Sequence, residues 1–118
     1  MSTLRESPTI TITPETQPVN VFFNDNVIAT TKQALILQEG SYPPVIYVPK
    51  EHVAMEFLLP TDKHTTCPHK GEASYWTISA GGSSAENAVW GYDTPKDTVA
   101  AIAGHVAFYP DKVRIEVG

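Results

Sequence analysis

The stretch YWTISAGGSSAENAVWGY, from residue 75 to residue 92, decides the fold class of this chain. Residues 75–80 and 86–92 are rich in aromatic and β-branched side chains, which favour strands. Between them lies the sequence Gly-Gly-Ser-Ser, and glycine readily adopts the positive φ that a tight hairpin turn requires. The stretch therefore predicts an antiparallel hairpin with one tryptophan on each strand.

Short β-rich runs separated by turn residues continue in both directions from this hairpin. They predict a first hairpin, two single strands and a last hairpin, at residues 19–23 with 27–31, 34–38, 45–48, and 105–109 with 112–117. Two short helical turns are predicted, at residues 49–53 and 97–103. About eight short strands against two helical turns indicate a mainly β protein. We expect a single curled antiparallel sheet or a partly open barrel.

The two least regular parts of the chain are its start and a polar stretch in its second half. Residues 1–18 contain three prolines, which prevent a helix, so we expect a loosely ordered arm before a single domain over residues 19–118. Within the arm, residues 9–13 alternate isoleucine with threonine and could form an edge strand. Residues 61–72 have no periodicity, which predicts the longest loop.

Composition excludes several classes of protein. The chain of 118 residues is 42% hydrophobic and 18% charged, which is too apolar for a disordered polymer and suits one domain. Its net charge is −5 and its eight basic residues are scattered, so we expect no nucleic-acid binding. No apolar run reaches the length of a membrane span, and the start lacks an apolar signal core. A single cysteine excludes an internal disulfide, and we expect a cytoplasmic protein.

Reactive side chains concentrate at residues 62–76, around Cys67. Three interpretations of this cysteine stay open. It could bind a metal with His64 and His69, with His52 or His105 as a fourth ligand, although a Cys-x-x-Cys pair is missing and we expect no metal and no cofactor. It could be a reactive thiolate next to Lys70. It could also be an inert residue that packs as a small hydrophobe.

Lys70 and the aromatic residues are the candidates for ligand binding. Gly71 lets the backbone approach a ligand closely beside Lys70, whose charge suits a small anion. Aromatic side chains around this segment could form the walls of a pocket, although each is equally explained as core. The candidate ligand-binding residues are Lys70, Gly71, Tyr75, Trp76, Trp90 and Tyr109. The candidate catalytic residues, whose role stays unknown, are Cys67, Lys70, His105 and Glu39.

Several motifs together resemble one family. The most specific is CPHKGEASYW at residues 67–76, and the others are AVWGY at residues 88–92 and AFY at residues 107–109. With Glu39 and the prolines near residue 43, they resemble the domain of unknown function 427 family over about residues 19–117. The resemblance implies a small, β-rich cytosolic domain without an established activity.

Three functions follow as hypotheses. The first is a small-molecule or anion-binding pocket around the Cys-Pro-His-Lys-Gly loop, with or without catalysis. The second is a non-catalytic interaction or structural module. The chain could form a homodimer under any of these hypotheses. The third is nucleotidyl transfer, a label that the family carries in places. That chemistry needs a pair of carboxylates to hold Mg²⁺, and only Asp93 follows Gly82-Ser83 at the required distance along the chain.

Overall fold

The computed structural model describes residues 9–118. The chain forms ten strands: β1 Ile10–Pro14, β2 Val19–Phe23, β3 Asn26–Thr31, β4 Leu35–Glu39, β5 Val45–Pro49, β6 Leu58–Cys67, β7 Gly71–Ala80, β8 Ser83–Gly91, β9 His105–Phe108 and β10 Arg114–Val117. Helical structure in the described part is limited to short 3-10 segments at Lys50–His52, Met55–Phe57 and Asp97–Ile102. The prediction of a mainly β protein is therefore confirmed.

The strands lie in two antiparallel sheets. The larger sheet has seven strands in the order β1-β4-β5-β9-β8-β7-β6, and the smaller has three in the order β10-β2-β3. The single curled sheet expected from the sequence is thus divided into two, and neither sheet of residues 9–118 closes into a barrel. The strands divide because β2 pairs with β3 on one side and with β10 on the other, whereas β1 and β4 pair within the larger sheet.

Both hairpins with tight turns have the predicted geometry. Strands β7 and β8 pair so that Ala80 faces Ser83, and the two glycines between them have φ of +63° and +80°. In the β2–β3 hairpin, Asn24 and Asp25 adopt φ of +48° and +66°. Positive φ at both central residues defines the turn type whose twist matches paired strands. Local turn chemistry therefore determines these two connections.

The prediction that residues 61–72 form the longest loop is wrong, because the first part of this polar stretch makes up most of strand β6. This strand pairs with β7 from Leu58 to Cys67, with an irregularity in register between Pro60 and His64. It is the outer strand of the large sheet, so most of its side chains face solvent and show no apolar periodicity. Proline is tolerated there because an edge strand has unpaired N–H groups.

The predicted last hairpin is also wrong. Strand β9 pairs with β5 on one side and β8 on the other, so both of its edges are occupied. Strand β10 instead pairs with β2 in the small sheet, with Ile115 opposite Val21. The turn after β9 thus carries the chain from one sheet to the other.

The large sheet has an apolar core on each face, and alternation along the strands assigns side chains to them. On one face, Ile78, Val89 and Val106 pack with Val19 and Ile28 of the small sheet. The other face carries a second cluster that includes Val99 and Ile102 of the last 3-10 segment, and its remaining members are Leu37, Tyr47, Ala73, Tyr75, Tyr92 and Ala107. We call these the inner face and the outer face.

The start of the described chain belongs to the outer edge of the large sheet. Strand β1 pairs with β4 from Ile10 to Pro14, close to the edge strand that the alternation of isoleucine and threonine suggests. Residues 1–8 of the predicted arm lie outside the described residues. A loosely ordered arm over residues 1–18 stays a prediction.

Candidate functional site

A cavity of about 250 Å³ opens on the outer face of the large sheet. The side chains around it come from strands β4, β5 and β7, from the ends of β8 and β9, and from two loops. They are Leu37, Glu39, Tyr42, Pro43, Val45, Tyr47, Lys70, Tyr75, Trp90, Tyr92 and Tyr109. Because side chains alternate between faces along a strand, every second residue reaches the same cavity, as in Leu37 with Glu39 and Val45 with Tyr47.

An ion pair is the main polar feature of the cavity. The Lys70 Nζ atom donates a hydrogen bond to Oε1 of Glu39 at 2.7 Å. The two side chains are only 13% and 14% exposed, whereas those of the Lys50–Asp93 pair are 31% and 65% exposed. Water therefore screens the Lys70–Glu39 pair less. The sequence identified both residues as candidates but did not indicate that they touch.

The turn between β6 and β7 holds Lys70 in place. The Lys70 backbone N–H donates to the Cys67 carbonyl at 3.3 Å, and the Lys70 carbonyl accepts from the Lys96 N–H at 2.9 Å. Gly71 adopts φ of +119°, in the region that favours glycine. A Cβ atom at this glycine would lie 3.5 Å from the Thr94 carbonyl oxygen. Gly71 thus lets the turn next to Lys70 pack against the chain at residue 94, and it does not border the cavity.

Tyrosines form much of the cavity wall, and burial raises the pKa of three of them. Burial raises the pKa of Tyr47 to about 12, although a hydrogen bond from Trp90 opposes the rise. Burial also raises the pKa of Tyr92 and, together with a hydrogen bond to Tyr75, that of Tyr109. Neutral phenols both donate and accept hydrogen bonds. The hydroxyl groups of Tyr47, Tyr92 and Tyr109 therefore stay uncharged to a higher pH than a free phenol does.

Strand β6 fixes one of these tyrosines. The Tyr75 hydroxyl lies 2.9 Å from Oγ1 of Thr65, and Nζ of Lys63 lies 4.6 Å from the centre of the Tyr75 ring. Both partners belong to the strand that the sequence did not reveal. The Tyr92 hydroxyl, by contrast, has no hydrogen-bond partner among residues 9–118 although the residue is only 5% exposed.

The two tryptophans of the central hairpin lie on opposite faces. Trp90 borders the cavity, and its ring centre is 4.5 Å from that of Tyr109. Trp76 packs in the inner core and its ring lies 5.1 Å from Nζ of Lys50. The expectation that both tryptophans line one pocket thus fits Trp90 and not Trp76. Adjacent residues of a strand point to opposite faces, so Trp76 cannot share the face of Tyr75.

The other candidates are near the cavity or away from it. Cys67 is half-buried and packs against the outer core, but it does not border the cavity. His105 pairs with Pro49, and its Nδ1 lies 3.0 Å from the Ala103 carbonyl oxygen. Within residues 9–118, no three histidine, cysteine, aspartate or glutamate side chains converge as they would around a metal ion. His52 instead contacts Oγ1 of Thr31 at 2.6 Å.

The residues considered for nucleotidyl transfer do not meet. Ser83 begins β8, whereas Asp93 follows its end at Gly91. A strand rises about 3.3 Å per residue, so the two residues lie at opposite ends of the sheet. Asp93 is paired with Lys50 at 3.0 Å. The structure therefore does not place the Gly82-Ser83 turn next to this carboxylate.

A second hollow, of about 470 Å³, lies at the turn of the β2–β3 hairpin and the start of β10. Its charged residues are Asp25, Asp111, Lys112 and Arg114, and all are exposed. Charges of both signs in contact with water bind a ligand weakly, because solvent screens them. The smaller cavity with its nearly buried ion pair is the candidate site.

Several cavity residues were not among the candidates from sequence. Tyr92 enters the sequence analysis only within the AVWGY motif, and the motifs and spacings of the sequence do not single out four other residues of the wall: Leu37, Tyr42, Val45 and Tyr47. Alternation along β4 and β5 would have placed Leu37 with Glu39, and Val45 with Tyr47, on one face. What alternation cannot give is the order of strands that brings these faces together.

The fold and the site define the class of the protein: a small β domain with a cavity that combines an ion pair with aromatic side chains. A comparison with known families matches nearly the whole of the described chain. The family model of the domain of unknown function 427 (DUF427) matches residues 11–118, so the chain belongs to that family. No curated protein gave a match to the chain. None of the helical segments within residues 9–118 has the length and apolar character that a membrane span requires.

Proposed function

We propose that this domain binds a small organic molecule in the cavity on the outer face of the large sheet. The observation that carries the proposal is the Lys70–Glu39 pair, nearly buried among aromatic side chains at the cavity wall. Concave sites lined by apolar and aromatic residues, with a few convergent polar groups, are typical of ligand binding.

A purely structural role explains this pair less well. Taking two charges out of water is expensive, and apolar residues of similar size often stabilise a fold as well or better. The pair also keeps unused capacity: Nζ of Lys70 makes one hydrogen bond to the described residues, and Oε2 of Glu39 makes none. An interaction module without a ligand would leave Lys70 exposed to solvent, whereas its side chain is 13% exposed.

The volume limits the ligand. Pockets for drug-sized molecules measure roughly 300 to 1,000 Å³. At about 250 Å³ the cavity is slightly smaller, so a molecule with one ring and few substituents fits it best. Lys70 and Glu39, which are candidate catalytic residues from the sequence, are the charged groups that such a molecule would meet in the cavity.

A fragment screen by NMR tests the proposal. The full chain, labelled with ¹⁵N, is titrated with single-ring aromatic and polar fragments, and backbone shifts are followed. We expect a subset of fragments to shift resonances of Glu39, Lys70 and Tyr92, with little effect near Lys112 or Arg114 of the second hollow.

A variant that fills the cavity provides the control. Val45 is half-buried on the cavity wall, and Val45→Phe adds a ring to that space. Fragment binding should be lost in this variant while the chain stays folded. Shifts of equal size in Val45→Phe and the wild type, or no fragment that shifts the cavity residues, would contradict the proposal.

A further inference from the structure

We infer that the cavity selects an uncharged, planar ring whose edge carries a hydrogen-bond donor beside an acceptor, as in a cyclic amide. The inference rests on the proposed function and names the class of ligand. Three features of the site support it: the net charge of the polar pair, its pattern of donors and acceptors, and the shape and chemistry of the walls.

The net charge of the pair argues against an anion. A single positive charge at Lys70 would suit a carboxylate or phosphate, as the sequence suggested. Glu39 lies 2.7 Å from Lys70, however, and neutralises that charge. An anionic ligand next to Lys70 would also lie next to the Glu39 carboxylate, and like charges repel strongly where water is scarce. A cation meets the same obstacle from Lys70. A neutral ligand is repelled by neither of the two charges.

The unused atoms of the pair form a donor next to an acceptor. The Lys70 ammonium has three N–H groups, and among the described residues only Glu39 accepts from it. Oε2 of Glu39 accepts no hydrogen bond from residues 9–118 and is the acceptor on the same pair. A ring edge with C=O beside N–H matches both atoms, since the carbonyl accepts from Lys70 and the N–H donates to Glu39. Such paired bonds add geometric specificity.

The walls favour a flat ring. The Trp90 and Tyr109 rings lie 4.5 Å apart between their centres, with 42° between their planes, and form one side of the cavity. Aromatic rings prefer offset or edge-on contact with another ring. Tyr42 is 66% exposed at the same cavity, so its ring is available to cover a bound ligand. The Tyr92 hydroxyl, which has no hydrogen-bond partner among residues 9–118, offers one further hydrogen bond at the cavity.

Three probes of one ring size separate the alternatives. They are 2-pyridone, which has the amide edge, N-methyl-2-pyridone, which lacks the donor, and benzoate, which is an anion. The dissociation constant of each is measured by NMR titration of the full wild-type chain. We expect 2-pyridone to bind about tenfold more tightly than either other probe, because a lost hydrogen bond to a charged, nearly buried group costs about that factor.

Exchanging Glu39 for its neutral counterpart should reverse the preference. In Glu39→Gln the charge of Lys70 is no longer neutralised, so benzoate should gain and 2-pyridone should lose affinity. Asp93→Asn, which makes the same change in the exposed Lys50–Asp93 pair, should leave the order of probes unchanged.

The outcomes distinguish this inference from the proposed function. Benzoate or N-methyl-2-pyridone binding at least as tightly as 2-pyridone in the wild-type cavity would overturn the inference and leave small-molecule binding in place. If none of the three probes shifts the cavity residues, the inference also fails. The proposed function fails only if no fragment of the broader set shifts the resonances of the cavity residues either.

Discussion

At the scale of single residues, two lysine–carboxylate pairs have the same chemistry and differ in how far water reaches them. Lys70–Glu39 is nearly buried at the cavity, whereas Lys50–Asp93 is exposed to solvent. An exposed pair contributes little because water and salt screen it. In a nearly buried pair, each charge removes the large free-energy cost of burying the other without a partner. The two pairs therefore form a natural comparison.

Removing the charge of Lys70 should destabilise the fold more than removing that of Lys50. Lys70→Met leaves the Glu39 carboxylate unpaired in a site that is 14% exposed, and we expect a loss of about 1–3 kcal/mol in the free energy of unfolding. For Lys50→Met we expect at most about 1 kcal/mol. Urea denaturation of both variants measures the difference. Equal losses would show that burial of the Lys70 pair has no energetic consequence.

A close contact between strands makes Gly91 a second sensitive residue. A Cβ atom there would lie 2.7 Å from the His105 carbonyl oxygen and 3.2 Å from Cγ1 of Val106. Backbone cannot yield as a flexible side chain does, so Gly91→Ala should cost about 1–3 kcal/mol through overpacking. The exposed Ser84→Ala change in the same strand serves as control. A midpoint for Gly91→Ala within error of that control, in the same denaturation assay, would refute the close approach of β8 and β9.

At the scale of elements, edges decide how the strands assemble. Strand β6 is long and polar because it forms one edge of the large sheet, and charged side chains and proline at an edge discourage pairing with other chains. Strand β10 joins the small sheet because β9 has no free edge. Both departures from the sequence-based predictions have this common origin.

The position of β10 can be tested through Ile115. This side chain is half-buried and packs against the inner core, with its backbone opposite Val21. Ile115→Ala should lower the free energy of unfolding by about 1–2 kcal/mol, less than for a fully buried isoleucine. Glu116→Ala, an exposed neighbour, should change it by less than about 0.5 kcal/mol. NOEs of β10 to β9, and none between Ile115 and Val21, would contradict the topology.

At the scale of the whole molecule, the large sheet separates two environments. Its inner face packs against the small sheet and is apolar, whereas its outer face holds the tyrosines, the ion pair and the cavity. Because burial makes ionised phenols unfavourable on the outer face, the stability of the entire domain is linked to pH. The link appears in the alkaline range.

Stability should fall as the pH rises above about 10. The pKa of Tyr47 is raised to about 12 in the folded state, against roughly 10 in an unfolded chain. The folded state therefore retains its proton at a pH where the unfolded state releases it. The contribution of protonated Tyr47 to the free energy of unfolding is fully present below pH 10. It is lost between pH 10 and 12, at about 1.4 kcal/mol per pH unit.

Phenolate absorbance checks this prediction directly. The ultraviolet titration of the native protein should lag behind that of the protein in urea, and Tyr92 and Tyr109, whose pKa values are also raised by burial, should add to the lag. Tyr47→Phe should reduce both the lag and the alkaline loss of stability. Native and unfolded chains that titrate together would mean that these phenols are hydrated.

The sequence by itself determined what local chemistry controls. Turn residues such as Gly81 and Asn24 defined two hairpins, alternation indicated strands, and the motif around Lys70 placed the chain in its family and drew attention to Tyr75, Trp90 and Tyr109. These features depend on residues close together in the chain, whose preferences act before any distant contact forms.

Only the tertiary structure decided which distant residues meet. Glu39 and Lys70 are 31 positions apart, and their contact depends on the order of strands in the large sheet. The same order put Trp76 on the inner face and gave the polar strand β6 its place at the edge. Pairing between strands follows from edges and surfaces of the assembled sheet, and a local pattern is compatible with several such assemblies.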